Sequence, residues 1–204
     1  DAENYVVHQE TEATGVIERK TVTASITGTA AKEYDGTTNV PAGHGLSIAL
    51  KDVIDGESVS ATAAYAFDDV NVGQNKTITA TGITLGGTDA DNYVLSATTV
   101  SGSVGTITKK TLTPSISGTV TKVYDGTKAA PEGLSIALEG VVSGDDVTAT
   151  ATCSFEDANV GNGKAITASN ITLTGDDAGE YVLRNTTAET YAGEITPRTV
   201  TIIA

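Results

Sequence analysis

Lys32-Glu33-Tyr34-Asp35-Gly36-Thr37 returns as Lys122-Val123-Tyr124-Asp125-Gly126-Thr127, at an interval of 90 residues (122 − 32 = 90). The run Leu46 to Leu50 also returns unchanged, as Leu134 to Leu138, 88 residues later (134 − 46 = 88). The chain therefore holds two copies of one unit, and the second copy is two residues shorter between these motifs (90 − 88 = 2). Because a repeat sets the architecture, chemistry that belongs to the unit should occur in both copies.

The two ends of the chain resemble parts of the same unit. Residues 1–7 match Asp89 to Leu95, and residues 195–201 match Ile107 to Thr113. We therefore expect the tail of a preceding repeat at 1–16, whole repeats at 17–106 and 107–195, and the opening strand of a following repeat at 196–204. A lone strand with open edges is marginal in water, so both end segments are expected to pair with the adjacent repeat or with another molecule.

Alternating apolar and polar residues indicate an all-β fold. Val147 to Phe155 alternates throughout, as a half-buried strand does. Short strands separated by turn signals about every ten residues are typical of sandwiches and barrels. We expect tandem Ig-like β-sandwich modules, with β-grasp-like modules carrying one short helix as the alternative. The stretch Gly43 to Gly56 fits either a strand or a short helical turn.

The recurring motif is expected to form a tight structural turn. Glycine in an Asp-Gly pair takes a positive φ, and the aspartate bonds nearby backbone N–H groups. The tyrosine is expected to bury its ring and to direct its hydroxyl to a backbone partner. These structural turn residues are Tyr34, Asp35, Gly36, Tyr124, Asp125 and Gly126.

The junction between the repeats contains no flexible linker. Residues 104–116 are strand-like apart from Pro114, which predicts a local sheet edge or a bulge at that position. The closing strand of one repeat is expected to continue into the opening strand of the next. An array built in this way should behave as a semi-rigid rod, because glycine- and serine-rich connections are absent from the junction.

Composition argues against several classes of function. The net charge of −14 and the pI of about 4.3 disfavour binding to nucleic acid and to membrane surfaces. Cys153 is the only cysteine and is expected to be a buried, inert thiol. His8 and His44 have no counterparts in the other copy, and neither a phosphate-binding loop nor a zinc ligand set is present, so we expect no enzyme.

Calcium is the one cofactor whose ligand chemistry the sequence offers, since acidic and amide side chains cluster in two turns of each copy. The spacing matches no EF-hand, and such residues mostly bond their own backbone, so we expect no cofactor and keep calcium as the alternative. The candidate ligands are Asp68, Asp69, Asn71, Asp89, Asp91, Asp157, Asn159, Asp176 and Asp177. A Lys–Asn crosslink joining Lys32 or Lys122 to Asn71 or Asn159 is a further, less favoured alternative.

The order of motifs resembles the YDG repeat family. Lys-x-Tyr-Asp-Gly-Thr is followed by Phe-x-Asp-x-Asn-Val-Gly at 67–73, by Leu-x-Gly-x-Asp-Ala-x-x-Tyr-Val-Leu from Leu173 to Leu183, and by Ile-Thr-Pro-Arg-Thr-Val-Thr from Ile195. The second copy has Glu180 where the first has Asn92. The resemblance implies tandem domains in large bacterial surface proteins, including haemagglutinin-like adhesins, and it supplies no catalytic residue.

Two functions follow from this reading. The first is a structural spacer or stalk on the bacterial surface, extracellular, whose partners are the adjacent repeats of the same chain. The alternative is an adhesive module that binds host glycan or protein through variable loops. Those loops are residues 39–45 against 128–133, and 96–103 against 184–192, where Tyr191 stands opposite Ser103.

Overall fold

The computed structural model describes residue 3 and residues 14–203, and over these residues the fold is all-β, as expected. Strands make up 54% of the structure. The strands in chain order are β1 Lys20–Thr27, β2 Ala30–Glu33, β3 Ser47–Lys51, β4 Ser60–Phe67, β5 Gly73–Gly86, β6 Tyr93–Leu95, β7 Val100–Thr108, β8 Lys110–Ser117, β9 Val120–Val123, β10 Ser135–Glu139, β11 Thr148–Phe155, β12 Gly161–Thr174, β13 Tyr181–Leu183 and β14 Ala188–Thr196.

Helical structure is limited to short turns. Residues 14–203 contain no α-helix, and their helical structure consists of the three-residue 3₁₀ turns Ala90–Asn92 and Ala178–Glu180. The ambiguous segment after Gly43 forms strand β3, so it supplies no helix of the kind that the β-grasp alternative requires. No helix in residues 14–203 has the length and apolar character needed to span a bilayer.

The chain divides into two compact units, and the boundary between them falls within the first repeat. One unit comprises Ser47–Ala64, Ala80–Gly102 and the chain up to Thr27. The other comprises Gly28–Leu46, Tyr65–Thr79 and the chain from Ser103 onward. The second unit therefore joins part of the first repeat to the whole of the second.

In the first unit, β1 is the central strand of a three-stranded sheet with the order β3-β1-β6. Strand β1 is antiparallel to β3, with Ile26 opposite Ile48, and parallel to β6. The alternation of β1 buries Val22 and Ala24 and leaves the intervening hydroxyl side chains exposed. A period of two residues thus places one face of this strand in the core, as the sequence predicts.

In the second unit, the second repeat forms two sheets, β10-β8-β13 and β11-β12-β14-β9. Its core cluster consists of Val120, Phe155, Ile166 and Ile195, and Ile116 of β8 packs against it. Cys153 also packs against this cluster, and its burial raises the pKa of the thiol. The four-stranded sheet of the first repeat has the corresponding order β2-β7-β5-β4.

The connection between the repeats is a run of strand residues. Strand β7 ends at Thr108 and β8 begins at Lys110, so Lys109 alone separates them. Pro114 lies opposite Leu138 of β10, whereas β13 pairs with β8 only as far as Leu112. The proline therefore occupies a local sheet edge, which confirms the prediction made from its position.

Apart from Thr196, which ends β14, the described residues of the two predicted terminal segments form no strand. Residues 14–19 and 197–203 belong to no sheet, so the expected pairing with an adjacent repeat is not made by them. Residues 1–2 and 4–13 of the predicted preceding tail, His8 included, lie outside the described residues.

The core side chains of the second repeat pack directly against the backbone of a glycine, Gly193. A Cβ added at Gly193 would lie 2.6 Å from Phe155 Cε1 and 2.8 Å from Ile166 Cδ1. The phenylalanine ring thus occupies the space that the Cβ atom of any residue other than glycine would fill. Gly105 is in the same situation in the first repeat, where a Cβ would lie 2.6 Å from Phe67 Cε1.

We predict that Gly193→Ala lowers the free energy of unfolding by about 1–3 kcal/mol, because the added methyl group overpacks a filled core. Urea denaturation followed by circular dichroism measures this change. Gly179→Ala is the matched control, since a Cβ there would meet nothing within 4 Å. Equal stability of the two variants would show that Phe155 is not seated against the glycine.

Candidate functional site: the junction between repeats

The Tyr-Asp-Gly turn is held by a lysine that lies beneath it. Lys32 Nζ donates to Asp35 Oδ1 at 2.6 Å and to the Thr37 carbonyl oxygen at 2.6 Å. Asp35 Oδ1 also accepts from the Thr37 backbone N–H at 2.9 Å, and Gly36 has φ +73°, as predicted. The lysine ammonium lies 5.5 Å from the centroid of the Phe67 ring. The hydrogen bonds of this lysine are therefore made within its own turn.

The second copy reproduces this arrangement. Lys122 Nζ donates to Asp125 Oδ1 at 2.9 Å and to the Thr127 carbonyl at 2.7 Å, and it lies 5.6 Å from the centroid of Phe155. The hydrogen bond from Lys122, followed by that from the Thr127 backbone, lowers the pKa of Asp125 to about 2. The turn is thus a charge-assisted structure in both repeats.

Tyr34 corrects one prediction about this turn. Its ring is buried, but its hydroxyl donates to the Asp145 Oδ2 carboxylate of the other repeat at 3.0 Å rather than to a backbone partner. Tyr124, the equivalent residue, was expected to be buried and is exposed. The tyrosine of the first turn therefore contacts the next repeat, and sequence reasoning placed it within its own.

Asp145 connects two tyrosines. Its Oδ2 accepts from Tyr34 at 3.0 Å and from Tyr181 at 2.6 Å, and the Tyr181 hydroxyl accepts from the Val142 N–H at 2.9 Å. The two rings meet edge to face, with centroids 5.5 Å apart at 74°. Burial, followed by the hydrogen bond to Asp145, raises the pKa of Tyr181 to about 12 and raises that of Tyr34 as well.

Two neutral phenols that share one carboxylate form a structural link. Both hydroxyl groups stay protonated at neutral pH, because their pKa values lie above the ordinary value of 10.0. Each hydroxyl group donates its hydrogen bond to Asp145. The arrangement offers no activated nucleophile, and it suits the docking of one repeat on the next.

Three further contacts complete the junction. A Cβ added at Gly36 would lie 3.1 Å from Val142 Cγ1, so the turn touches the valine that bonds Tyr181. The Val72 N–H donates to Glu180 Oε2 at 2.5 Å. Lys110 Nζ lies 3.8 Å from Glu33 Oε1 in an ion pair. The junction therefore combines aromatic packing with hydrogen bonds from both turns at the end of the first repeat.

The first repeat carries the same acceptor group at the equivalent positions. The Tyr93 hydroxyl donates to Glu57 Oε2 at 2.5 Å and accepts from the Ile54 N–H at 3.0 Å. Burial, followed by the Glu57 hydrogen bond, raises the pKa of Tyr93. Glu57 and Ile54 stand 88 residues before Asp145 and Val142 (145 − 57 = 88; 142 − 54 = 88).

Sequence reasoning missed these acceptor residues and two lysines. The sequence signal for the acceptor residues was that an acidic residue and an aliphatic residue both recur at the repeat interval. Lys76 and Lys164 recur in the same way, 88 residues apart (164 − 76 = 88), and both side chains are nearly buried.

These lysines occupy the turns proposed for calcium. Lys164 Nζ donates to Asp157 Oδ1 at 2.7 Å, and this hydrogen bond, followed by that from the Asn159 N–H, lowers the pKa of Asp157. Lys76 bonds Asp69 in the first copy. Among the described residues, no three His, Cys, Asp or Glu side chains form a group that could hold a metal ion.

The second pair of acidic turns is also used locally. Asp89 Oδ2 accepts from the Ser58 N–H at 2.7 Å, and Asp177 Oδ2 accepts from the Asp146 N–H at 2.8 Å. Each carboxylate thus ties the turn to the loop that precedes β4 or β11. This is the backbone role that aspartates in turns commonly have.

The remaining candidate residues are dispersed. His44 Nδ1 accepts from the Leu46 N–H at 3.2 Å, and its ring lies edge to face with Tyr65. Tyr191 is exposed on β14. The predicted loops 96–103 and 184–192 are loops only in part, because β7 begins at Val100 and β14 at Ala188.

Comparison with known proteins gives one result. The family model of the YDG domain matches residues 18–100 and 108–189, one match within each of the two repeats. No curated protein and no solved structure matches the chain.

We predict that Tyr34→Phe destabilises the chain by about 1.5–3 kcal/mol, since it removes a half-buried hydrogen bond to a carboxylate. Tyr124→Phe is the matched control and should change stability by less than about 0.5 kcal/mol, because that side chain is exposed. Urea denaturation of both variants measures the difference. Equal effects would mean that the Tyr34 hydroxyl does not bond Asp145.

We also predict a pH dependence from Asp125. Its pKa of about 2 in the folded chain lies below the value of about 3.9 in an unfolded one. A depressed carboxyl pKa stabilises the fold above about pH 4, and this contribution is lost as the pH falls towards 2. Asp125→Asn should therefore flatten the pH dependence of the melting temperature between pH 4 and pH 2.

Asp176→Asn controls for the loss of one negative charge in an exposed turn. It should keep the slope of the parent chain. If Asp125→Asn keeps that slope too, the Lys122–Asp125 bond does not contribute to the stability of the turn.

Proposed function

The chain belongs to the YDG domain family, and we propose that it forms structural spacer repeats of a bacterial surface adhesin. A semi-rigid array of such repeats holds a distal domain away from the cell. In this role the protein is extracellular, its partners are adjacent repeats of the same chain, and it uses no catalytic residue and no cofactor.

The junction is the observation that carries this proposal. The far end of the first repeat and the whole of the second belong to one compact unit. Tyr34, Asp145 and Tyr181 bond across the boundary between the repeats, and a single residue separates β7 from β8. A spacer needs stiffness between its modules, and a bonded junction without a linker supplies it.

The charge of the chain suits the same role. A net charge of −14 favours solubility and disfavours contact with nucleic acid and with anionic lipid. Lys32, Lys76 and Lys164 each bond a carboxylate in a turn of their own repeat.

We propose further that each repeat is an Ig-like β-sandwich. In the second repeat, Ile116 of the three-stranded sheet packs on Phe155 and its neighbours in the four-stranded sheet. A core formed between two sheets is the arrangement that a sandwich requires.

An adhesive module is the second candidate, and Tyr191 is the observation in its favour. Its side chain is 68% exposed on β14, and exposed aromatic rings are a common feature of binding surfaces. A glycan array probed with the chain tests this function, with Tyr191→Ser as the variant, since serine is the residue at the same position of the first repeat. Binding that is lost in the variant would favour the adhesive module over the spacer.

We predict that small-angle scattering of the chain fits one semi-rigid conformation of the two repeats. Asp145→Ala should increase flexibility, because both tyrosines lose their shared acceptor. Tyr124→Ala, a change at an exposed tyrosine, is the control and should leave the scattering unchanged at low concentration.

Scattering from the parent chain that requires freely hinged repeats would contradict the spacer role. The location is tested separately with antibodies raised against the chain. They should label intact cells of the bacterium that encodes it, and labelling only after lysis would contradict surface display.

A further inference from the structure

The junction has two halves, the tyrosine turn and the acceptor residues on which it docks. Each half also occurs elsewhere in the described residues without the other. Tyr34 is 4% exposed at the junction, whereas Tyr124 is 42% exposed. Val142 is half-buried against the turn, whereas Ile54, its equivalent, is 48% exposed. Within residues 14–203, the first repeat thus presents an acceptor without a tyrosine turn, and the second presents a tyrosine turn without an acceptor.

The unmatched acceptor of the first repeat is a cavity of about 430 Å³. Ile54, Glu57, Asn92 and Tyr93 line it, together with backbone and side chains of residues 17–20. These four residues are the equivalents of Val142, Asp145, Glu180 and Tyr181, which contact the first repeat at the junction. We call this cavity the acceptor cavity.

We propose that the acceptor cavity binds the Lys-x-Tyr-Asp-Gly-Thr turn of a further YDG repeat. The incoming tyrosine packs edge to face on Tyr93 and donates its hydroxyl to the Glu57 carboxylate, as Tyr34 does to Tyr181 and Asp145. Glu57 already accepts one phenol, from Tyr93, and a carboxylate has room for a second donor.

The exposed turn of the second repeat has the form that this cavity requires. Its lysine, aspartate and threonine make the same bonds as those of the first turn, so the turn is already shaped before it binds. A Cβ added at Gly126 would meet nothing within 4 Å, whereas one added at Gly36 would lie 3.1 Å from Val142 Cγ1. Val160 is 48% exposed, whereas Val72 is half-buried beside the junction.

The hydrogen bond between Val72 and Glu180 also has a counterpart in the proposed contact. Asn92 replaces Glu180, and its amide oxygen can accept a hydrogen bond from the Val160 N–H as Glu180 does from Val72. The ion pair of Glu33 with Lys110 has no counterpart, because Val123 takes the place of Glu33. This loss is small, since exposed ion pairs contribute little.

The inference goes beyond the spacer role, because it assigns a binding site that a second copy of this chain can fill. The contact is heterologous, because the cavity of one copy meets the turn of the next, so oligomers should grow with protein concentration. Within one polypeptide, a short tether supplies an effective concentration in the millimolar range. Association of separate copies is therefore to be measured up to about 1 mM of protein.

Analytical ultracentrifugation of the parent chain and of two variants tests the proposal. Tyr124→Ala removes the exposed tyrosine and leaves the acceptor cavity, whereas Ile54→Arg fills the acceptor cavity with charge and leaves the tyrosine. Both residues are exposed, and circular dichroism checks that the fold is kept. Tyr191→Ala is the matched control for removing an exposed tyrosine elsewhere.

The parent chain and Tyr191→Ala should form oligomers that grow with concentration. Each variant alone should stay monomeric, and an equal mixture of the two should form a dimer and nothing larger, because one copy supplies the cavity and the other the turn.

A parent chain that remains monomeric at about 1 mM would overturn the proposal. Oligomers that persist in either single variant, or that exceed a dimer in the mixture, would place the contact elsewhere and overturn it too. None of these results depends on whether the protein is displayed on a cell, so failure of the spacer role is seen separately.

Discussion

Asp145 is the group on which the junction depends. Its carboxylate accepts hydrogen bonds from Tyr34 of one repeat and Tyr181 of the other, and both rings are buried around it. Asp145 is half-buried, and the bond from Tyr181 is made within its own repeat, whereas the bond from Tyr34 is made only when the repeats are docked. The geometry of the junction is specified for the same reason, because the acid reaches both tyrosines in one arrangement.

The turn that presents Tyr34 is organised by its own repeat. Lys32 lies between the aromatic ring of Phe67 and the oxygens of Asp35 and Thr37, so the turn is formed without help from the neighbour. A turn that is already formed before it docks loses little conformational entropy on docking. The turn depends on its own repeat for its formation and on the neighbouring repeat only for docking. The motif can therefore recur in the second copy, where Tyr124 is exposed.

The repeat, the all-β class and the turn chemistry could be predicted because they rest on local patterns. Alternation places Val22 and Ala24 inside, and an Asp-Gly pair requires the positive φ found at Gly36. The partner of Tyr34 could not be predicted, since Asp145 lies 111 residues away and nothing local distinguishes it from other acids of the chain. Lys164 was missed for a similar reason, because a charged residue that becomes buried is recognised only with its partner Asp157.

The central claim is that Tyr34 and Asp145 bond directly across the repeats. A double-mutant cycle with Tyr34→Phe, Asp145→Asn and the combined variant, followed by urea denaturation, tests it most directly. Residues in one hydrogen-bonded network show coupling energies of about 0.5–3 kcal/mol, and we expect a value in this range. Strictly additive effects of the two substitutions would contradict the account.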